Sequence, residues 1–288
     1  MELRPSVLAG QWYPRSPEEC ARFLATLPAP DVDVSGAVGA IVPHAGWVYS
    51  GEIAFGALRL VAVEQPAPDL VVIYGGHLAR HDHPRLFVEG GFETPLGPLA
   101  VPEELAQDLA MALTDVDLEN PEEFYEENGV EVLLPMVKRL WPDAPVLAIG
   151  SPPTIASIAL GKEVVDLAKR RGYRRIALIG STDLTHYGPN YDFSPKGSGA
   201  RGLAWVNETN DPAVISPMCA LDAAQVLWVA EREHNACCAG AAAAAISGAR
   251  LLGAERGVLT RHATSWDLRP SGDAPSSFVG YAGIVLAK

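Results

Sequence analysis

Three histidines stand just past the ends of short apolar runs, each behind a residue that stops a strand. His44 follows Val38 to Val42 and Pro43. Proline has no N–H to give a sheet ladder, so the strand ends there, and Gly46 then frees the backbone to turn. His77 follows the run Asp69 to Tyr74 and then Gly75-Gly76; His186 follows the run Arg175 to Ile179 and then Gly180 to Thr185. In a parallel sheet the C-terminal strand ends share one rim, where ligands bind. The chain has only seven histidines, so three at matching strand ends point to one shared cleft.

Two neutral imidazoles and one anionic donor on one face suit a divalent transition metal. For the anionic donor the sequence offers the carboxylates Asp183, Glu127 and Glu131 and the thiols Cys237 and Cys238. The adjacent cysteines precede an alanine-rich helical stretch, and a helix N-terminus favours the thiolate. The plainer reading is a pair of small core residues. A competing metal set, His77, His81 and His83, needs a tight loop, whereas Asp82 and Pro84 mark a solvated surface. Gly197-Ser198-Gly199-Ala200-Arg201-Gly202 satisfies G-x-G-x-x-G but follows Ser194-Pro195-Lys196 rather than a strand, so it reads as a flexible loop. No nucleophile elbow or P-loop motif supports a hydrolase or nucleotide reading.

The elements that must position these groups alternate. Ser16-Pro17-Glu18-Glu19 supplies an N-cap, a first-turn proline and a capping-box glutamate, which predicts a helix to about Leu27. Ser50 and Glu52 open a second over Ile53 to Val61. Further helices are expected over Pro102 to Leu113, Val130 to Leu140, Thr154 to Arg171, Asp222 to Arg232 and Cys238 to Leu252. Buried strands are expected at 38–42, 69–74, 145–149 and 175–179, and others at 258–263 and 278–286. Glu93 to Gly97 reads as a turn beside an edge hairpin, and a loop is expected from Gly188 to Arg201. This alternation predicts a three-layer α/β fold, with a mostly parallel central sheet and helices on both faces. Without a composition break or internal repeat, one domain over 1–288 is expected.

Hydrophobic residues make up 48% of the 288 and charged residues 20%, which is ordinary for a globular protein. The net charge of −13 and the lack of a basic stripe argue against nucleic acid as a partner. No apolar run approaches the ~20 residues of a membrane span. Met1 to Pro5 lacks a signal pattern, which leads us to expect a cytoplasmic protein. Its four cysteines, Cys20, Cys219, Cys237 and Cys238, are then expected to be reduced.

Several stretches together resemble the Memo family (mediator of cell motility): Ala9 to Pro14, Pro43-His44-Ala45-Gly46-Trp47, Gly76-His77, Thr94-Pro95-Leu96, Glu127 to Pro135, Ser181 to Gly188 and Ser277 to Tyr281. The resemblance spans nearly the whole chain. It implies a fold like that of the class III extradiol dioxygenases, which hold Fe(II) by two histidines and a glutamate, with a cysteine replacing the glutamate in Memo-like proteins. Carried over, the metal ligands are His44, His77 and a cysteine. Cys238 fits the family's H-N-x-x-C-G best, while Cys237 places Gly240 better. His186 matches the acid/base position with Asp183 beside it, and Trp12, Trp47 and Tyr187 belong to the motifs of the expected substrate pocket.

The same resemblance implies a metal-dependent redox protein acting on a small molecule or peptide, with Fe(II) ahead of copper and zinc behind both. A radical-SAM protein is the implied partner of bacterial members. The alternative function is a non-catalytic protein that recognises phosphorylated or other anionic peptides through the same pocket. Such a pocket wants Arg or Lys near His44 and His186, and the nearest in sequence are Arg59, Arg80 and Arg85. The chain also departs from the family pattern: Glu127-Asn128-Gly129-Val130-Glu131 lacks a histidine, and Ala239 or Cys238 replaces the glycine after the cysteine.

Overall fold

The computed structural model describes residues 1–270, 272 and 275–288. β1 (Leu3–Arg4) and α1 (Pro17–Thr26) lead into β2 (Ala37–Val42) and α2 (Trp47–Glu64). Next come β3 (Leu70–Gly75), β4 (Arg85–Phe87), β5 (Gly91–Phe92), β6 (Leu99–Ala100), α3 (Glu103–Ala112) and β7 (Asp117–Glu119). α4 (Asn128–Glu131), α5 (Leu134–Leu140), β8 (Val146–Gly150), α6 (Ile155–Arg170) and β9 (Ile176–Ser181) follow. The chain ends with β10 (His186–Tyr187), α7 (Ala200–Trp205), α8 (Asp211–Cys219), α9 (Ala223–Glu233), α10 (Ala239–Leu251), β11 (Arg256–Thr264), α11 (Ser265–Leu268) and β12 (Phe278–Ala287).

The main sheet runs β10-β12-β2-β9-β3-β8-β4-β7, with β11 also on β12. Its centre, β2-β9-β3-β8, is parallel. Both flanks open with an antiparallel step, β12 on β2 and β11 and β4 on β8, while the outermost pair, β4 and β7, is parallel. The expected mostly parallel sheet is therefore a mixed one. A fully buried strand is apolar whichever way it runs, so β12 carried no sign of its direction. Helices flank the sheet, α2 on β2 and β12, and α10 on β9, β2 and β3 with α6 and α9 behind it. Small residues allow this: a Cβ on Gly161 of α6 would sit 2.1 Å from the Ala244 carbonyl oxygen of α10. The alanine run is thus a packing surface. No helix among the described residues is long and apolar enough to cross a membrane.

The first helix starts as expected, with the Ser16 hydroxyl accepting from the Glu19 N–H. The second starts at Trp47, six residues before Ile53, immediately past the His44 turn. No side chain caps it; the Trp47 N–H donates instead to the Trp12 carbonyl at 2.8 Å, a long-range partner that a local cap signal cannot reveal. The expected helix over 130–140 is two pieces, with Pro135 in the first turn of α5. Residues 200–219, which had no predicted helix, are helical almost throughout, including a π turn at Val206–Asn210. Pro212 falls directly after that π turn, where α8 continues from it, and Pro217 lies inside α8. The turn at Thr94 to Gly97 joins β5 to β6 in a small separate sheet with β1.

Candidate metal centre

β2, β9 and β3 deliver their C-terminal ends to one rim, as parallel neighbours must. At that rim one ring nitrogen from each of His44 and His77 and the sulfurs of Cys237 and Cys238 lie within 4.8 Å of one another. His44 is 1% exposed and fixed on all sides. Its N–H donates to Asp183 Oδ1 at 2.8 Å, its Nδ1 is 2.8 Å from Ser181 Oγ, and its Nε2 is 3.3 Å from Cys237 Sγ. Asn128 Nδ2 donates to its carbonyl at 3.1 Å.

His77 faces His44 edge-on, with ring centroids 4.8 Å apart. Its Nδ1 lies 2.7 Å from Glu127 Oε1, and one of its ring nitrogens shares the cluster with the Cys237 sulfur. Glu127 is in turn held as the N-cap of α4, accepting from the Gly129 and Val130 N–H groups. In both imidazoles a fixed partner on Nδ1 leaves Nε2 as the donor toward the sulfurs, the arrangement that orients metal-binding histidines. Gly76 makes the approach of His77 possible, at φ 86° with space for no side chain: a Cβ would be 2.9 Å from Gly150 Cα. Gly76→Ala is expected to cost about 1–3 kcal/mol in a urea melt and to shift His77 off Glu127.

The cysteines come from the turn before α10. Cys238 caps that helix and its N–H donates to Thr182 Oγ1 at 3.1 Å. Cys237 lies one residue earlier, and its sulfur accepts from the Asp183 N–H at 3.3 Å. Burial alone would push the Cys237 thiol up, but a hydrogen bond with Cys238 and the His44 and His77 imidazoles hold it well below the ordinary range. The hydrogen bond to Cys237, followed by burial, keeps Cys238 well above it. The donor set is therefore two adjacent cysteine sulfurs, of which Cys237 is the readier to ionise, and two oriented histidine rings, a combination that fits a borderline or soft transition metal.

The histidines open into a cavity of about 1040 Å³, lined also by Asp183, His186, Trp12, Asn128, Tyr191 and Arg269. His44, His77, His186 and Asp183 thus share one space, as their strand ends suggested. Trp12 lines it too. Trp47 and Tyr187 do not: the Trp47 indole turns inward to donate to the Val132 carbonyl at 2.8 Å, and Tyr187 is fully buried, its hydroxyl donating to the Gly197 carbonyl. Burial pushes the Asp183 carboxyl up against the pull of His44. Glu131 is occupied elsewhere, accepting from the Leu8 N–H and the Tyr13 hydroxyl. His81 and His83 stay exposed beside Asp82 and Asp117, so the loop-histidine set does not assemble. Ser181 and Arg269 are site residues that the motif reading passed over; the strand expected to end at Ile179 runs on to Ser181, which carries that hydroxyl to the rim.

A family model described as Memo-like protein matches residues 4–285. A MEMO1 family protein of Methanopyrus kandleri is 31% identical over 305 aligned residues, covering 100% of both chains. A MEMO1 family protein of Pyrococcus furiosus is 30% identical over 297, covering 99% of each. The crystal structure of an uncharacterized protein from Escherichia coli K12 superposes with a TM-score of 0.56 at 13% identity, covering 86% of this chain and 98% of that one. At that identity the likeness speaks for a shared fold alone.

Proposed function

The chain belongs to the Memo-like family, and on that footing we propose that it is a metal-dependent redox protein resembling the class III extradiol dioxygenases. His44 Nε2, His77 Nε2 and the Cys237 thiolate hold the ion. The observation that carries this reading is the convergence of the histidine nitrogens and cysteine sulfurs within 4.8 Å at a cavity wall. A bound transition metal, Fe(II) first and copper next, supplies one-electron chemistry beside that cavity. A thiolate is a softer donor than the carboxylate of the dioxygenases, which raises copper's claim and leaves zinc third.

The chain's own residues divide the remaining work. Ser181 and Glu127 hold the two imidazoles in the tautomer that presents Nε2. His186 sits in the cavity wall with Nδ1 3.1 Å from the Leu184 carbonyl. That bond fixes the proton on Nδ1 and leaves Nε2 to take a proton from a bound substrate. Asp183 accepts from the His44 N–H and, close to both His44 and His186, balances positive charge on either ring. Trp12 and Tyr191 offer aromatic surface for the substrate body. All four cysteines are free, which suits a reducing cytoplasmic setting.

The test is anaerobic purification followed by elemental analysis and oxygen uptake. The wild type is expected to carry near-stoichiometric metal, and Cys237→Ala almost none. Oxygen uptake with a reductant should need the metal. Equal, negligible metal in both proteins would sink the metal reading. Metal without any metal-dependent uptake would favour the second reading, recognition of an anionic peptide, which Arg269 in the cavity wall supports. In that case Arg269→Ala should weaken phosphopeptide binding at least tenfold in calorimetry.

A further inference from the structure

Asp211 is a fully buried carboxylate that none of the chemistry above uses. It opens α8 directly after the π turn, and its two oxygens divide their partners. Oδ1 accepts from the Thr185 N–H at 3.1 Å and from the Thr185 hydroxyl, and Oδ2 accepts from His262 Nε2 of β11 at 2.9 Å. The neighbouring Asn210 side chain donates to the Thr185 hydroxyl at 2.9 Å and to the Glu233 carbonyl at 3.1 Å, while its own carbonyl accepts from Asn235 Nδ2 at 2.7 Å. Gly280 of β12 meets the carboxylate with no room for a side chain. Thr185, β11, β12 and the turn before Cys237 are thus tied to one node. A buried carboxylate with that many fixed donors keeps one orientation.

The Thr185 N–H belongs to the same peptide unit as the Leu184 carbonyl, and that carbonyl is the partner of His186 Nδ1 at 3.1 Å. A trans peptide is planar, with its C=O and N–H pointing opposite ways, so holding the N–H aims the carbonyl. A carboxylate on the N–H also polarises the unit and makes the carbonyl a stronger acceptor. Resting on the acid/base role given to His186 above, we propose that Asp211 is a positioning residue for His186, acting through the Leu184–Thr185 peptide to hold the ring's proton on Nδ1. The logic is that of the carboxylate behind a general-base histidine, which fixes the tautomer without touching the substrate. Here one peptide group stands between the carboxylate and the ring. His186 Nε2 is thereby kept free toward the cavity.

The test is NMR of the metal-free, full-length chain with isotope-labelled histidine, recorded with the rings neutral and with His186 assigned by its loss in His186→Gln. In the wild type the Nδ1–H tautomer of His186 is expected to outweigh the Nε2–H tautomer by about tenfold or more. Asp211→Asn keeps the shape and an oxygen for the Thr185 N–H but removes the charge. It is expected to bring the two tautomers to within about twofold of each other. His262→Gln keeps the carboxylate and a donor to it, and should match the wild type. Circular dichroism checks that each variant is folded. A folded Asp211→Asn with the wild-type tautomer ratio overturns the inference. So does a wild-type ring that carries its proton on Nε2, a result that needs no variant. A shifted tautomer with unchanged metal-dependent oxygen uptake leaves the inference standing and removes His186 from the proposed chemistry.

Discussion

His77→Ala is expected to lose metal affinity by more than about 100-fold while keeping its fold. Removing a residue that merely orients a ligand costs roughly 10- to 100-fold, so removing the ligand should cost more. The fold should survive because the His77 side chain is 42% exposed and its one side-chain carboxylate partner, Glu127, keeps two backbone donors when the ring is gone. A stability change of about 1–3 kcal/mol follows, because the ring is 42% exposed but the Glu127 carboxylate that loses its partner is only 13% exposed. His44→Ala is the contrasting case. It empties a buried position and strips partners from Ser181 and Cys237, so it should lose metal and stability together. Chelator competition for affinity and urea melts for stability separate the two. Wild-type affinity in His77→Ala would mean that the ion sits somewhere else.

The rim was legible because the features that build it are local. Pro43 and Gly76 end their strands one residue before His44 and His77, and a strand end at a proline or glycine can be read without knowing the neighbouring strands. What requires those neighbours was hidden. Cys237 and Cys238 differ by a single step along the chain, and only the start of α10 decides which is which: Cys238 takes the capping position, which leaves Cys237 facing His44. Trp47 stands three residues from His44 and yet misses the cavity, because it opens a helix whose first turn points the indole at Val132. Nearness in sequence says nothing about the face a side chain takes. Arg269 shows the reverse. It comes from just beyond the short helix α11, far along the chain, and its Nε donates to the Val48 carbonyl, which holds it in the cavity wall. Tyr187 sits beside His186 in a short strand, where successive side chains face opposite ways, so a motif that includes both can deliver only one to the cavity.

Affinity for metal at this centre should rise steeply with pH and then level off. In the metal-free protein burial works to lower the His44 pKa, but Asp183 and the Cys237 sulfur more than offset it and raise it to about 9. Hydrogen bonds from His77 to Cys237 and Glu127 raise its pKa to about 10. Both rings therefore carry a second proton at neutral pH, and a metal must displace it to use Nε2. Cys237, held well below the ordinary thiol range by its neighbours, gives up its proton more readily than either ring. Two displaced protons mean affinity climbs by up to ~100-fold per pH unit between about pH 7 and 9, by ~10-fold per unit from there to about 10, and no further above. The sign reverses for the metal-free fold. Histidines whose pKa is raised on folding stabilise it fully below about 6.5, and that contribution fades as pH rises through 9 and 10. The metal-bound protein, its imidazoles already deprotonated, should show no such loss. Chelator competition across pH 7 to 10.5 reads the first effect, and urea melts with and without metal read the second. A slope near zero between pH 7 and 9 would show that the rings are neutral before the ion arrives, and that Cys237 is not the thiolate that holds their protons in place.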